Sequence, residues 1–184
     1  MTIPLLDRIK QFQTFLLETG VARSVLALPA PRMLTLPAPT SGAASHENLF
    51  GHLITEPEIV EVSRDLFVSG FYNQAVCEAL KALDKFVQAK SGSMELSGAK
   101  LMQQVFSEIK PVLEWSSRQT ISEKDQHNGY QRIFAGSMIG IRNPCTHEHG
   151  WVDDPDEALE CISLAQHLLR KAKATTRAQT HAKS

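Results

Sequence analysis

Val76, Leu80, Leu83 and Val87 fall at i, i+4, i+7 and i+11, the spacing at which side chains return to one face of an α-helix. A stripe this long has to be buried, and Ala75, Ala79 and Ala82 beside it let neighbouring helices come close. The spacing predicts one long core helix over Tyr72 to Lys90, stopped by Ser91-Gly92-Ser93. The same period recurs on either side. Ile59, Val62, Leu66 and Phe67 predict a helix over Glu58 to Gly70, with Thr55-Glu56-Pro57-Glu58 read as cap, first-turn proline and reach-back glutamate. Leu101, Met102, Val105 and Phe106 fit a shorter helix; Tyr130, Ile133, Phe134, Met138 and Ile141 fit the next. Asp154-Pro155-Asp156-Glu157 opens the last, which runs through Leu159, Ile162, Ala165, Leu168 and Leu169. No strand signal rises above noise. The expected fold is therefore all-α, an up-down helical bundle.

The flanks differ in character. Leu5, Ile9, Phe12 and Leu16 predict an amphipathic helix within residues 1–26. Leu28-Pro29-Ala30-Pro31 then recurs as Leu36-Pro37-Ala38-Pro39, and proline at this density predicts an extended linker over 27–46. The globular domain is expected over 47–174. Within it, 107–127 is polar and without a clear element, and 175–184 is expected to be a frayed tail.

Charge and cysteine content narrow the class. Nineteen Lys and Arg nearly cancel 20 Asp and Glu, which excludes a generally basic nucleic-acid coat but leaves room for a local cationic pocket. Three irregularly spaced cysteines, Cys77, Cys145 and Cys161, do not form a disulfide framework. Met1-Thr2-Ile3-Pro4 does not open a signal peptide, and no apolar run is long enough for a membrane span. A soluble, cytoplasmic protein is the expectation.

The chemistry concentrates in Ile141-Arg142-Asn143-Pro144-Cys145-Thr146-His147-Glu148. Arg142 offers a planar fork of donors for a phosphate, and His147 can move a proton near neutral pH. Asn143 adds a donor for a phosphate oxygen or a ribose hydroxyl. Because Pro144 disfavours helical geometry at Asn143, the helix is expected to break there and turn these side chains into one cleft. Such a set can cleave RNA without a cofactor: His147 handles the proton of the 2'-hydroxyl or of the leaving oxygen, while Arg142 offsets charge on phosphorus. One imidazole cannot flank both sides of an in-line attack, so a second copy of the chain would supply the other.

The plainer reading pairs Arg142 with Glu148 or Asp153 and leaves His147 capping a helix. Cys145, His147 and His149 form a Cys-x-His-x-His pattern, but without the paired, well-spaced ligands of a zinc site. Cys145 as a nucleophile lacks an orienting acid, and a small buried role fits it better. Trp151 is expected to pack its loop over the bundle, and the run Arg170, Lys171, Lys173 and Arg177 to complement a helix terminus.

Arg142-Asn143-x-x-x-His147 resembles the motif of the HEPN superfamily. The longer pattern resembles its Ymh-type family of bacterial and phage-associated proteins over roughly 55–172. That pattern comprises Gly70-Phe71-Tyr72-Asn73-Gln74-Ala75-Val76, Glu78-Ala79-Leu80-Lys81-Ala82-Leu83, the Arg142 to His147 segment and Glu157-Ala158-Leu159-Glu160. The resemblance implies a HEPN-like dimer with two motifs facing one cleft. It also implies metal-independent endoribonuclease activity in toxin–antitoxin or antiphage systems, with RNA as substrate and an antitoxin or defence-system protein as partner. Arg142, Asn143 and His147 are the site residues it implies. Other members only bind nucleotides or scaffold a partner. His149 stands where some toxins of the superfamily carry a modifiable tyrosine, so that mode of control does not carry over.

Overall fold

The computed structural model describes Thr14, Phe15, Glu18, residues 42–148 and residues 150–178. Thr14, Phe15 and Glu18 are helical; the rest of the helix expected at 5–17, and the linker as far as 41, lie outside the described residues. The chain divides into two units, Met1–Ala38 and Pro39–Ser184. Among its described residues the second unit is all-α apart from one very short strand pair.

Helix α1 spans Gly42–Leu53, α2 Pro57–Val68, α3 Tyr72–Ser91 and α4 Gly98–Val105. Strand β1, Leu113–Glu114, precedes α5, Ile121–Ser137. A π-helical turn over Met138–Arg142 leads directly into α6, Asn143–His147. Helix α7, Pro155–Lys173, precedes β2, Thr176–Arg177.

The long stripe does what its spacing requires. Val76, Leu80, Leu83 and Val87 are wholly buried, and α3 packs along α2 on one side and α7 on the other. Each such side chain stabilises the fold by about 1.5–3 kcal/mol. The helix ends at Gly92, whose left-handed φ of 79° closes a backbone bond from its N–H to the Gln88 carbonyl. Asp154 caps α7 by accepting from the N–H groups of Asp156 and Glu157, with Pro155 in the first turn, as the sequence predicts.

Several expectations are corrected. Residues 42–46, assigned to the linker, are the first turn of α1; past Pro39 nothing bars a helix, and burial of Phe50 against Phe67, ring centroids 5.1 Å apart, holds it down. Thr55 does not cap α2. Glu56 occupies the cap position without a side-chain bond there, because its carboxylate is taken by Arg170 and Lys173. The polar stretch before 127 contains the start of α5, set by a reciprocal capping box between Thr120 and Glu123. Residues 176–177 are not frayed: Thr176 and Arg177 pair antiparallel with Glu114 and Leu113. Residues 179–184 lie outside the described residues.

Candidate functional site

The expected break before Pro144 does not occur. Asn143 is helical, with φ −63° and ψ −49°, and its N–H bonds to the Met138 carbonyl five residues back. A proline ring in a regular helix collides with the carbonyl four residues earlier. The wider π turn over Met138–Arg142 relieves that collision, so α5 continues through it into α6. Arg142 and His147 therefore share one continuous helical path, about 140° apart around its axis and about 7.5 Å along it.

Arg142 turns inward. Its Nη2 lies 3.9 Å from Oδ2 of Asp84 on α3, and Asp84 is almost wholly buried. The other carboxylate oxygen accepts from the Gly98 N–H at 2.7 Å. A carboxylate in such a place needs a counter-charge, and Arg142 supplies it. The expected pairing with Glu148 or Asp153 is thus replaced by one with an acid 58 positions earlier in the chain. Gly98 makes room for the guanidinium: a Cβ at this position would stand 3.3 Å from Arg142 Nη1, and its φ of 61° is itself a glycine conformation.

The pairing does not use up the cation. At 3.9 Å the contact is electrostatic rather than a hydrogen bond, and the buried Nε of Arg142 has no hydrogen-bond partner. The side chain keeps 22% of its surface exposed. Lys81 is close enough for the charge of Arg142 to oppose the upward shift that its hydrogen bond to Glu78 gives it. Asn143 and His147 are exposed, His147 as the last residue of α6.

The short α6 is tied to α3 at two points. Buried Asn73 donates to the Cys145 carbonyl at 3.0 Å, and Cys77 Sγ contacts Thr146 Oγ1 at 3.4 Å. Thr146 in turn donates to the Arg142 carbonyl at 2.8 Å. Cys145 is buried, and burial pushes its thiol up to about 11, which suits the small packed role and not a nucleophile. His149 lies outside the described residues, and among those described no group of His, Cys, Asp and Glu is placed to hold a metal ion. Trp151 does not cover the bundle: it is 52% exposed.

Asp84 and Asn73 were missed as site residues by sequence reasoning. A signal for Asp84 exists: with Val76, Leu80 and Val87 it shares one stripe of α3, and a carboxylate on a buried stripe calls for a hidden partner. Asn73 carries no comparable local signal.

A family model described as "Protein of unknown function (Hypoth_ymh)" matches residues 54–172. The chain belongs to that family. The matched span runs from the turn before α2 to the last turn of α7 and holds Asn73, Asp84, Arg142, Asn143 and His147. No curated protein and no solved structure matches the chain. Among the described residues no helix is long and apolar enough to cross a membrane.

Proposed function

We propose that this member of the Hypoth_ymh family is an endoribonuclease that cleaves RNA through attack of the substrate's own 2'-hydroxyl, leaving a cyclic phosphate. The observation that carries the reading is Arg142: a guanidinium fixed in place by buried Asp84 whose hydrogen-bond donors are still unspent. Fixed, partly desolvated donors are what a phosphorane-like transition state requires, because they need no reorganisation as charge develops. Asn143 adds a neutral donor, and exposed His147 transfers the proton. The π turn that presents Arg142 is a rare element, frequent at functional sites.

A second imidazole is needed on the opposite flank of the scissile phosphate, and a homodimer supplies it. Ile139 and Trp151, on either side of the motif and 54% and 52% exposed, give such an interface its apolar part. The resemblance of Arg142-Asn143-x-x-x-His147 to the HEPN motif supports the same reading and extends it to a cytoplasmic toxin or antiphage effector.

A second reading has its own observation. Asp84 needs a counter-charge whatever the function, so Arg142 also fits a non-catalytic module that binds a nucleotide phosphate or a protein partner. Incubating purified protein with mixed RNA in EDTA separates the two. Cleavage that falls about 100-fold or more in both Arg142→Ala and His147→Ala is expected of the nuclease. Intact RNA at high protein concentration, or cleavage unchanged in both variants, would remove the nuclease reading.

A further inference from the structure

Roughly 30 Å from the motif, at the other end of the helical path formed by α5, the π turn and α6, lies a cleft of about 760 Å³. It falls within the size range of small-molecule sites, about 300–1,000 Å³. Its lining differs from that of most such sites: every lining residue is polar or charged, and none is aromatic. We infer that this cleft binds a phosphorylated sugar, through a phosphate held by Arg118 and Lys124 and hydroxyl groups held by the polar wall around them. The cleft stands apart from the nuclease site and shares none of its residues.

Arg118 is the anchor. It has φ 54°, a left-handed conformation that a non-glycine residue adopts only when its surroundings hold it there. They do. Its Nη1 donates to the Glu108 carbonyl at 2.6 Å, and its Nε lies 3.4 Å from Oε2 of Glu114. Yet Nε is buried with no hydrogen bond. Nη2 makes no hydrogen bond among the described residues, so the guanidinium is oriented and partly desolvated with a donor left for a phosphate. Lys124 lines the same cleft, is exposed, and has no ion pair among the described residues. With Arg177 the lining has three cations against two carboxylates, Glu108 and Glu114, and Glu114 is already committed to Arg118.

The rest of the wall decides what accompanies the phosphate. Ser117, Gln119, Asn128 and Thr176 offer hydroxyl and amide groups that both donate and accept, and the Glu108 carboxylate accepts. That set matches sugar hydroxyls. The lack of an aromatic surface means a nucleobase would have nothing to stack on. The cleft is also framed rather than loose. The β1–β2 pairing brings Thr176 and Arg177 to Glu114, and the Ala178 N–H bonds to the Val112 carbonyl at 3.0 Å.

Calorimetric titration of the full chain with inorganic phosphate, ribose 5-phosphate, AMP and a short oligoribonucleotide tests this. Ribose 5-phosphate is expected to bind more tightly than inorganic phosphate and about as tightly as AMP. Lys124→Glu, at an exposed position, and Asn128→Ala should each weaken it, the former at least about tenfold. A thermal melt of each variant checks that it folds. An oligoribonucleotide that binds far more tightly than the monomers, and loses that advantage in Lys124→Glu, assigns the cleft to an RNA backbone; equal affinities assign it to a free sugar phosphate. Ribose 5-phosphate that fails to bind, binds no better than inorganic phosphate, or binds folded Lys124→Glu unchanged overturns the inference.

Discussion

His127 shows how burial fixes the state of one side chain. Its neighbours in sequence are polar and suggest a loop, yet it lies on the buried face of α5, edge-on to Trp115 with centroids 5.3 Å apart. Its Nε2 stands 3.1 Å from the Phe106 carbonyl and 3.3 Å from that of Ser107. Carbonyls only accept, so Nε2 carries a proton, while the buried Nδ1 has no hydrogen-bond partner. Burial holds its pKa below the ordinary 6.5. The unfolded chain therefore takes up a proton near 6.5, whereas the folded one resists until a lower pH. The stability this residue contributes is complete above 6.5 and is lost as pH falls below it towards the depressed value. Unfolding free energies from urea titrations across that range should drop for the parent by up to about 1.4 kcal/mol per pH unit from this one site. In His127→Gln, which keeps a donor there, the slope should flatten even though stability at high pH is lower. Parallel slopes in the two proteins would show that another group dominates.

At the scale of elements, Gln166 joins three helices through one amide. From α7 it donates to the Leu53 carbonyl at 2.8 Å, and its Oε1 accepts from the N–H groups of Thr55 and Glu56 at 2.6 and 2.9 Å. It therefore closes the end of α1 and the start of α2 together, in a turn whose own cap makes no side-chain bond. Gln166→Leu keeps the volume and strips out all three bonds, leaving groups at a buried turn without partners. We expect a loss of about 2–4 kcal/mol by chemical denaturation, against less than about 1 kcal/mol for exposed His167→Ala. Similar losses in the two would refute the joint. This amide also illustrates what the sequence could convey. Helices α2, α3 and α7 were legible because an apolar stripe announces each of them locally, with a first-turn proline besides in α2 and α7. The candidate residues Arg142, Asn143 and His147 were legible as a motif. Their setting was not, since the π turn reverses the usual meaning of Pro144 and the counter-ion Asp84 lies 58 positions away. The start of α5 was legible in principle from Thr120-Ile121-Ser122-Glu123, but a polar run follows it where an apolar stripe would have drawn notice. The β1–β2 pair joins residues more than 60 positions apart, and two-residue strands have no period to read.

At the scale of the whole molecule, the proposed chemistry turns on how many imidazoles one scissile phosphate meets. A single chain offers one exposed His147, about 140° around the helix from the direction of Arg142. An in-line displacement requires a base on one side of phosphorus and an acid on the other. If two chains share one cleft about a two-fold axis, both imidazoles belong to the same site, and one inactive protomer disables the pair. Mixing parent and His147→Ala in equal amounts, with time for subunits to exchange, makes this quantitative. Only a quarter or so of the dimers then carry two parental chains, so activity should fall to about one quarter of that of the same total amount of parent. Protomers that work independently would keep about one half. Arg142→Ala tested the same way asks whether the cleft needs both guanidiniums, since Asp84 fixes each Arg142 within its own chain. A value near one half for His147→Ala would leave the motif intact as a phosphate site but end the shared-cleft mechanism.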